Sequence, residues 1–222
     1  MGKINIFVGH YGSGKSEIAL NYALLQKSKG KKVMLVDLDI VNPYFCLREL
    51  KELLQTEGIK LISADPSLSN AELMVVPKEV IEAFSNEDYE VIFDIGGDDS
   101  GSIVLGRYKN YFNLSNHEVF FVMNNKRPLT SDFIKAEKYL KDIETTSRLK
   151  VSSIISNANL SYETDIQDII KGEEETIKLA DKVGIPHKFT VVRKDFEKDL
   201  KNVLKASILP IDIYMKPFWR EF

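Results

Sequence analysis

An apolar run, Ile4-Asn5-Ile6-Phe7-Val8, empties into Gly9-His10-Tyr11-Gly12-Ser13-Gly14-Lys15-Ser16, and no other stretch constrains this chain as strongly. The run reads as a strand, and the G-x-x-x-x-G-K-S spacing (the Walker A pattern) as a loop that opens a helix. A loop that holds the β- and γ-phosphates must bring several backbone N–H groups to oxygen. Glycines at 9, 12 and 14 keep side chains out of that approach. The helix N-terminus adds partial positive charge, Lys15 a full charge, and Ser16 a hydroxyl for Mg²⁺. The candidate contact set runs from Gly9 through Glu17.

Five further β-rich runs follow: Lys32 to Asp37, Tyr89 to Ile95, Glu118 to Met123, Val151 to Ser156 and His187 to Val192, with helically spaced segments between them. That alternation predicts an α/β fold of three layers, a mostly parallel sheet flanked by helices, in one domain over 1–222. The first helix is expected from about Gly14 toward Lys29, with Gly30 as its stop. Gly184 and Pro186 mark another helix end before a strand. Leu61 to Pro77 stays unassigned and reads as a functional loop. A hydrophobic content of 44% in 222 residues is ample for a core. A net charge of -3 makes nucleic acid an improbable partner of the bulk surface. The lone Cys46 excludes an internal disulfide, and no run has the length of a signal peptide or transmembrane segment, so the expected compartment is the cytoplasm.

Metal and water chemistry needs acids at the same edge, where ligands of open α/β sheets bind beyond the strand C-termini. Two runs deliver them, Val33-Met-Leu-Val-Asp37-Leu-Asp39 and Val91-Ile-Phe-Asp94-Ile-Gly-Gly97-Asp98. Asp94, after three apolar residues, reads as the Walker B acid holding Mg²⁺ through water. Gly97 allows close backbone approach to a γ-phosphate. Asp99 or Ser100 is read as a helix cap.

The loop, Asp37-Leu-Asp39-Ile-Val-Asn42-Pro43, Asp94-Ile-Gly-Gly97 and Asn157 together resemble the MinD/ParA-like branch of the SIMIBI class of P-loop proteins, over most of the chain. The resemblance implies a seven- or eight-stranded sheet, ATP and Mg²⁺ as cofactors, and an ATP-dependent homodimer that drives a protein partner or cargo. It further implies that Asp39 orients the attacking water and Asn157 contacts adenine, with Asn124 and Asn125 as a competing base-contact pair. Dimeric members carry a second lysine immediately after the first loop glycine, where this chain has His10.

The expected function is thus a slow, Mg²⁺-dependent ATPase acting as a nucleotide switch. A ligase or kinase-like enzyme of the dethiobiotin-synthetase or cobyrinate-amidating type is the alternative. A metallochaperone GTPase is a second one. For the latter, Asn125-Lys126-Arg127-Pro128 looks like a guanine-reading motif but lacks the acid that accepts from guanine's amino group. Lys194, Lys198, Lys201 and Lys205 recur at helical spacing opposite Phe196, Leu200 and Leu204, predicting an amphipathic helix with a solvated basic stripe. The aromatic Ile213 to Trp219 is expected to pack back on the domain.

Overall fold

The computed structural model describes residues 3–39, 47–63, 79–97 and 99–215, without the side chains of Asp99, Ser100 and Tyr162. The readings placed on Asn42-Pro43, Cys46, Asp98, the side chains of Asp99 and Ser100, most of Leu61 to Pro77, and 216–219 lie outside those residues.

Eight strands form one sheet: β1 (Ile4–Val8), β2 (Lys32–Leu38), β3 (Lys60–Ser63), β4 (Tyr89–Ile95), β5 (His117–Met123), β6 (Ser153–Ser156), β7 (His187–Arg193) and β8 (Ser207–Ile211). Their order is β3-β2-β4-β1-β5-β6-β7-β8, and every pairing is parallel. The helices are α1 (Lys15–Ser28), α2 (Lys51–Thr56), α3 (Glu79–Ser85), α4 (Asp99–Arg107), α5 (Lys109–Asn113), α6 (Phe133–Ser147), α7 (Ile166–Val183) and α8 (Glu197–Leu200).

The sheet is buried on both faces, which is why its strands read as continuous apolar runs. Ile4, Ile6 and Val8 point into one core layer with Phe93, Phe121, Leu105 and Leu140. Phe7 points the other way, among Ile18, Leu20, Leu35 and Phe120. A period of two along β1 thus splits its side chains between two helical layers.

The parallel arrangement brings all eight strand C-termini to one edge, with β1 and its loop in the middle. Asp37 of β2 lies level with Asp94 of β4. The predicted stop at Gly184 is present, with φ 70° and its N–H donating to Ala180 O. The basic stripe over 194–205 is corrected: Lys194–Phe196 is a 3-10 turn and α8 is a single helical turn ending at Leu200. At the start of the segment Arg193 binds Asp195 and Lys194 binds Asp212.

Candidate phosphate-binding site

The loop between β1 and α1 turns through three glycines with positive φ: Gly9 at 151°, Gly12 at 72° and Gly14 at 87°. The space around them is as restrictive as the backbone. A Cβ on Gly9 would stand 2.5 Å from Val122 O, and one on Gly14 would stand 2.3 Å from the Asn157 amide nitrogen. Gly97 is locked in from outside: its Cβ would meet Tyr11 N at 2.4 Å. The requirement for glycine at 97 is therefore explained by packing of the β4 end against the loop itself. Tyr139 of α6 fastens the same junction, donating to Gly97 O at 2.6 Å and standing edge-on to His10 at 5.3 Å.

Lys15 is buried and donates to His10 O at 3.2 Å. Beside it, Asp94 is fully buried, and neither carboxylate oxygen meets the geometry of a hydrogen bond. Burial raises its pKa well above the ordinary carboxylate range and Asp37 adds to the effect, while Lys15 and the Ser16 hydroxyl oppose it. Asp37 is raised too, chiefly by burial. Its Oδ1 accepts from Asp39 N at 3.1 Å, and its Oδ2 has no partner. Sequence reasoning gave Asp37 no role, yet it completes a trio of acids with Asp39 and Asp94.

Unsatisfied buried carboxylate oxygens next to a hydroxyl and a lysine fit a hard divalent cation. Among the described residues no three His, Cys, Asp or Glu side chains converge tightly enough to hold a metal by themselves. A Mg²⁺ ion at this place would use Ser16, phosphate oxygen and water, with Asp94 acting through water, as expected from the sequence.

Lys15, Ser16 and Asp39 open onto a cavity of about 370 Å³ lined also by Tyr11, Gly12, Gly14, Glu17, Arg127, Asn159, Ser161, Ile213 and Met215, whereas Asp37 and Asp94 stay outside its lining. That size lies within the range of small-molecule and cofactor sites. Asn157 is beneath the loop and outside this lining, its amide donating to Ser13 O at 2.6 Å. Asn159, two residues on, reaches the cavity. The structure also gives Glu17 a different duty from ligand contact: its two carboxylate oxygens accept from Tyr214 N at 2.9 Å and Met215 N at 3.0 Å. Asn124 is spent on its own turn and on Asn159. His10 has its Nδ1 buried without a partner, and burial together with Lys15 and Arg127 lowers its pKa from the ordinary 6.5.

No protein-family profile and no curated protein matches this sequence. Solved structures do. FtsY from Mycoplasma mycoides aligns at a TM-score of 0.56 and 18% identity over 85% of this chain and 60% of its own. Signal recognition particle receptor FtsY from Elizabethkingia anophelis, in complex with GDP, gives 0.52 and 16% over 86% and 58%. A nucleotide-binding protein from Archaeoglobus fulgidus, in complex with ADP, gives 0.54 and 20% over 100% and 91%. The fold is that of the P-loop NTPases. The chain spans about 60% of the FtsY structure from Mycoplasma mycoides, and the likeness does not single out the MinD/ParA branch. No described helix is long and apolar enough to cross a membrane.

Proposed function

We propose that this protein binds MgATP at the Gly9–Ser16 loop and hydrolyses it slowly, as a nucleotide switch for a protein partner or cargo. One observation carries the reading: glycines of a tight loop, a buried lysine and Asp39 line a single cavity, and the unsatisfied carboxylate of Asp94 is buried beside that lysine. Bound Mg²⁺ would bridge and neutralise phosphate oxygens. The chain's own contribution is Lys15 and the loop N–H groups on the phosphates, and Asp39 at the cavity wall to orient water. Adenine is favoured because the Lys126-Arg127-Pro128 turn lacks the acid that reads guanine, and the neighbour matching the whole chain was solved with ADP.

A partner has a surface to use. Tyr11, Leu129 and Ile134 are 56%, 53% and 65% exposed, on the loop, on the 3-10 turn before α6 and in the first turn of α6. A second copy closing over this rim is the association that the family resemblance implies.

Calorimetry on Lys15→Ala tests the site: MgATP affinity falls by at least about tenfold, 1.4 kcal/mol. Competition by GTP on the unmodified protein is weaker than by ATP. Unchanged affinity in the variant removes the phosphate site, and equal or better competition by GTP reverses the base assignment.

A further inference from the structure

Among the described residues, the cavity wall carries two cationic side chains, Lys15 and Arg127. The first belongs to the loop pattern. The second comes from the turn after β5, a strand that runs beside β1 and ends level with the loop.

That turn is rigidly tied. Asn124 O accepts from Arg127 N at 3.1 Å and from Thr130 Oγ1 at 2.7 Å, and Asn124 Oδ1 accepts from Lys126 N at 2.9 Å. The half-buried guanidinium then lies directly on the loop. Its Nε donates to Gly12 O at 2.8 Å, and a Cβ on Gly12 would stand 3.0 Å from that nitrogen. A guanidinium has five N–H donors, and the bond to Gly12 uses one. The Nη pair is the fork that suits a phosphate, and here it belongs to a side chain lining the cavity.

We propose that Arg127 is a phosphate ligand supplied within the chain, the second fixed cation of the nucleotide site. The inference rests on the nucleotide reading above. Electrostatics favours it: Asp39 lines the cavity and the buried Asp37 and Asp94 end the neighbouring strands β2 and β4, so a polyphosphate here lies near acidic groups. Arg48 acts on Asp37 from outside the cavity lining, and a second cation on the wall itself supports Lys15. His10 does not supply that second cation, since burial, and then Lys15 and Arg127, disfavour its proton. With both cations on one chain, the charge complement of the site needs no side chain from a second copy.

The test is calorimetry of MgADP and MgATP binding to the full chain at two salt concentrations, for the unmodified protein, Arg127→Gln and Arg127→Lys. The glutamine variant should lose at least about tenfold in affinity and show a shallower dependence of affinity on salt, because one cation–phosphate contact is gone. The lysine variant should recover most of the affinity and the salt dependence, since charge returns while the Nε bond to Gly12 does not. Equal losses in both variants with unchanged salt dependence would reduce Arg127 to a brace for Gly12, and undiminished affinity in Arg127→Gln would remove it from the site. In either case nucleotide binding by the unmodified protein leaves the parent reading standing. Failure of the unmodified protein to bind either nucleotide overturns that reading and this inference with it.

Discussion

The two ends of the cavity are built in opposite ways. At one end, Gly12, Gly14, Lys15 and Ser16 of one loop line the cavity with Asp39, and Asp94 is buried beside Lys15. At the other, Asn159, Ser161, Ile213 and Met215 supply an uncharged wall from segments far apart in the chain. Glu17 joins them. It follows Ser16 on α1, and with Asn21, which exchanges hydrogen bonds with the backbone of Asp212, it pins residues 212–215 against the helix. Contiguous residues place the loop and its lysine, a short-range task, whereas Arg127 and the acids of β2 and β4 arrive through the sheet. Shaping a wall is a long-range task that needs the finished sheet.

The largest effect is expected at the charged end. Asp39→Asn keeps the shape of the side chain but loses the charge that orients water, so single-turnover hydrolysis slows by about a hundredfold or more with MgATP affinity preserved. Loss of binding together with turnover would make Asp39 a cation-site or folding residue.

Asp94 exposes the cost of that end. Its folded pKa is raised above the ordinary 3.8, so the folded protein holds a proton that the unfolded chain gives up at lower pH. Asp94's own contribution to stability without ligand is therefore least unfavourable below the ordinary value and worsens as pH rises through the window up to the raised one. With its pKa raised to about 8, Asp94 is mostly protonated at neutral pH, so the ligand-free Asp94→Asn variant should melt close to the unmodified protein there and a few degrees higher only at about pH 9, at about 2–4 °C per kcal/mol for a chain of this size. The stabilisation gained from Mg²⁺ with nucleotide should shrink in the same variant. A ligand-free melting point that falls at the higher pH instead would mean that Asp94 is satisfied in solution.

This contrast also sets what the sequence makes readable. The loop, Lys15, Ser16, Asp94 and the mostly parallel sheet follow from motif and rhythm, because local geometry dictates them. β3 and β8 escape notice. The first is four residues long, the second carries Pro210, and among the described residues both are edge strands, paired on one side only. Edge strands lack the long apolar run that burial between two neighbours imposes. Arg127 was legible only as part of a defective guanine motif, since what brings it to Gly12 is the β1–β5 pairing. The helical spacing of lysines over 194–205 misled because the apolar Phe196, Leu200 and Leu204 pack together from a 3-10 turn, a single helical turn and the residues after it, without one continuous helix.

Glu17→Gln sharpens the comparison at the joint. One carboxylate now accepts from two backbone N–H groups, and an amide presents an N–H group in place of one acceptor. Stability should drop by about 1–3 kcal/mol, read by chemical denaturation. Affinity for Mg²⁺-pyrophosphate, which needs the charged end alone, should hold, whereas affinity for MgATP, which also uses the wall, should fall. Equal losses for both ligands would show that the two ends are one unit.

The smallest effect concerns His10, on the rim where a second copy would meet the charged end. Because burial and the neighbouring Lys15 and Arg127 lower its pKa, the imidazole is mostly neutral at pH 7 and adds charge to an interface only below its ordinary 6.5. ATP-dependent dimerisation of the hydrolysis-slowed Asp39→Asn protein should therefore be weak at pH about 7.5 and strengthen toward pH about 5.5. His10→Lys should tighten it at the higher pH by at most about 1 kcal/mol, in line with partly exposed ion pairs. Sedimentation with ATP and with ADP measures both effects. Asp37 and Asp94 also gain protons over this range, so His10→Gln is the control. If the pH response survives in that variant it comes from the acids, and His10 is then a packing residue held edge-on by Tyr139. A dimer indifferent to nucleotide would use another surface, and a strict monomer in every condition would remove the second copy from the mechanism while leaving the charged end intact.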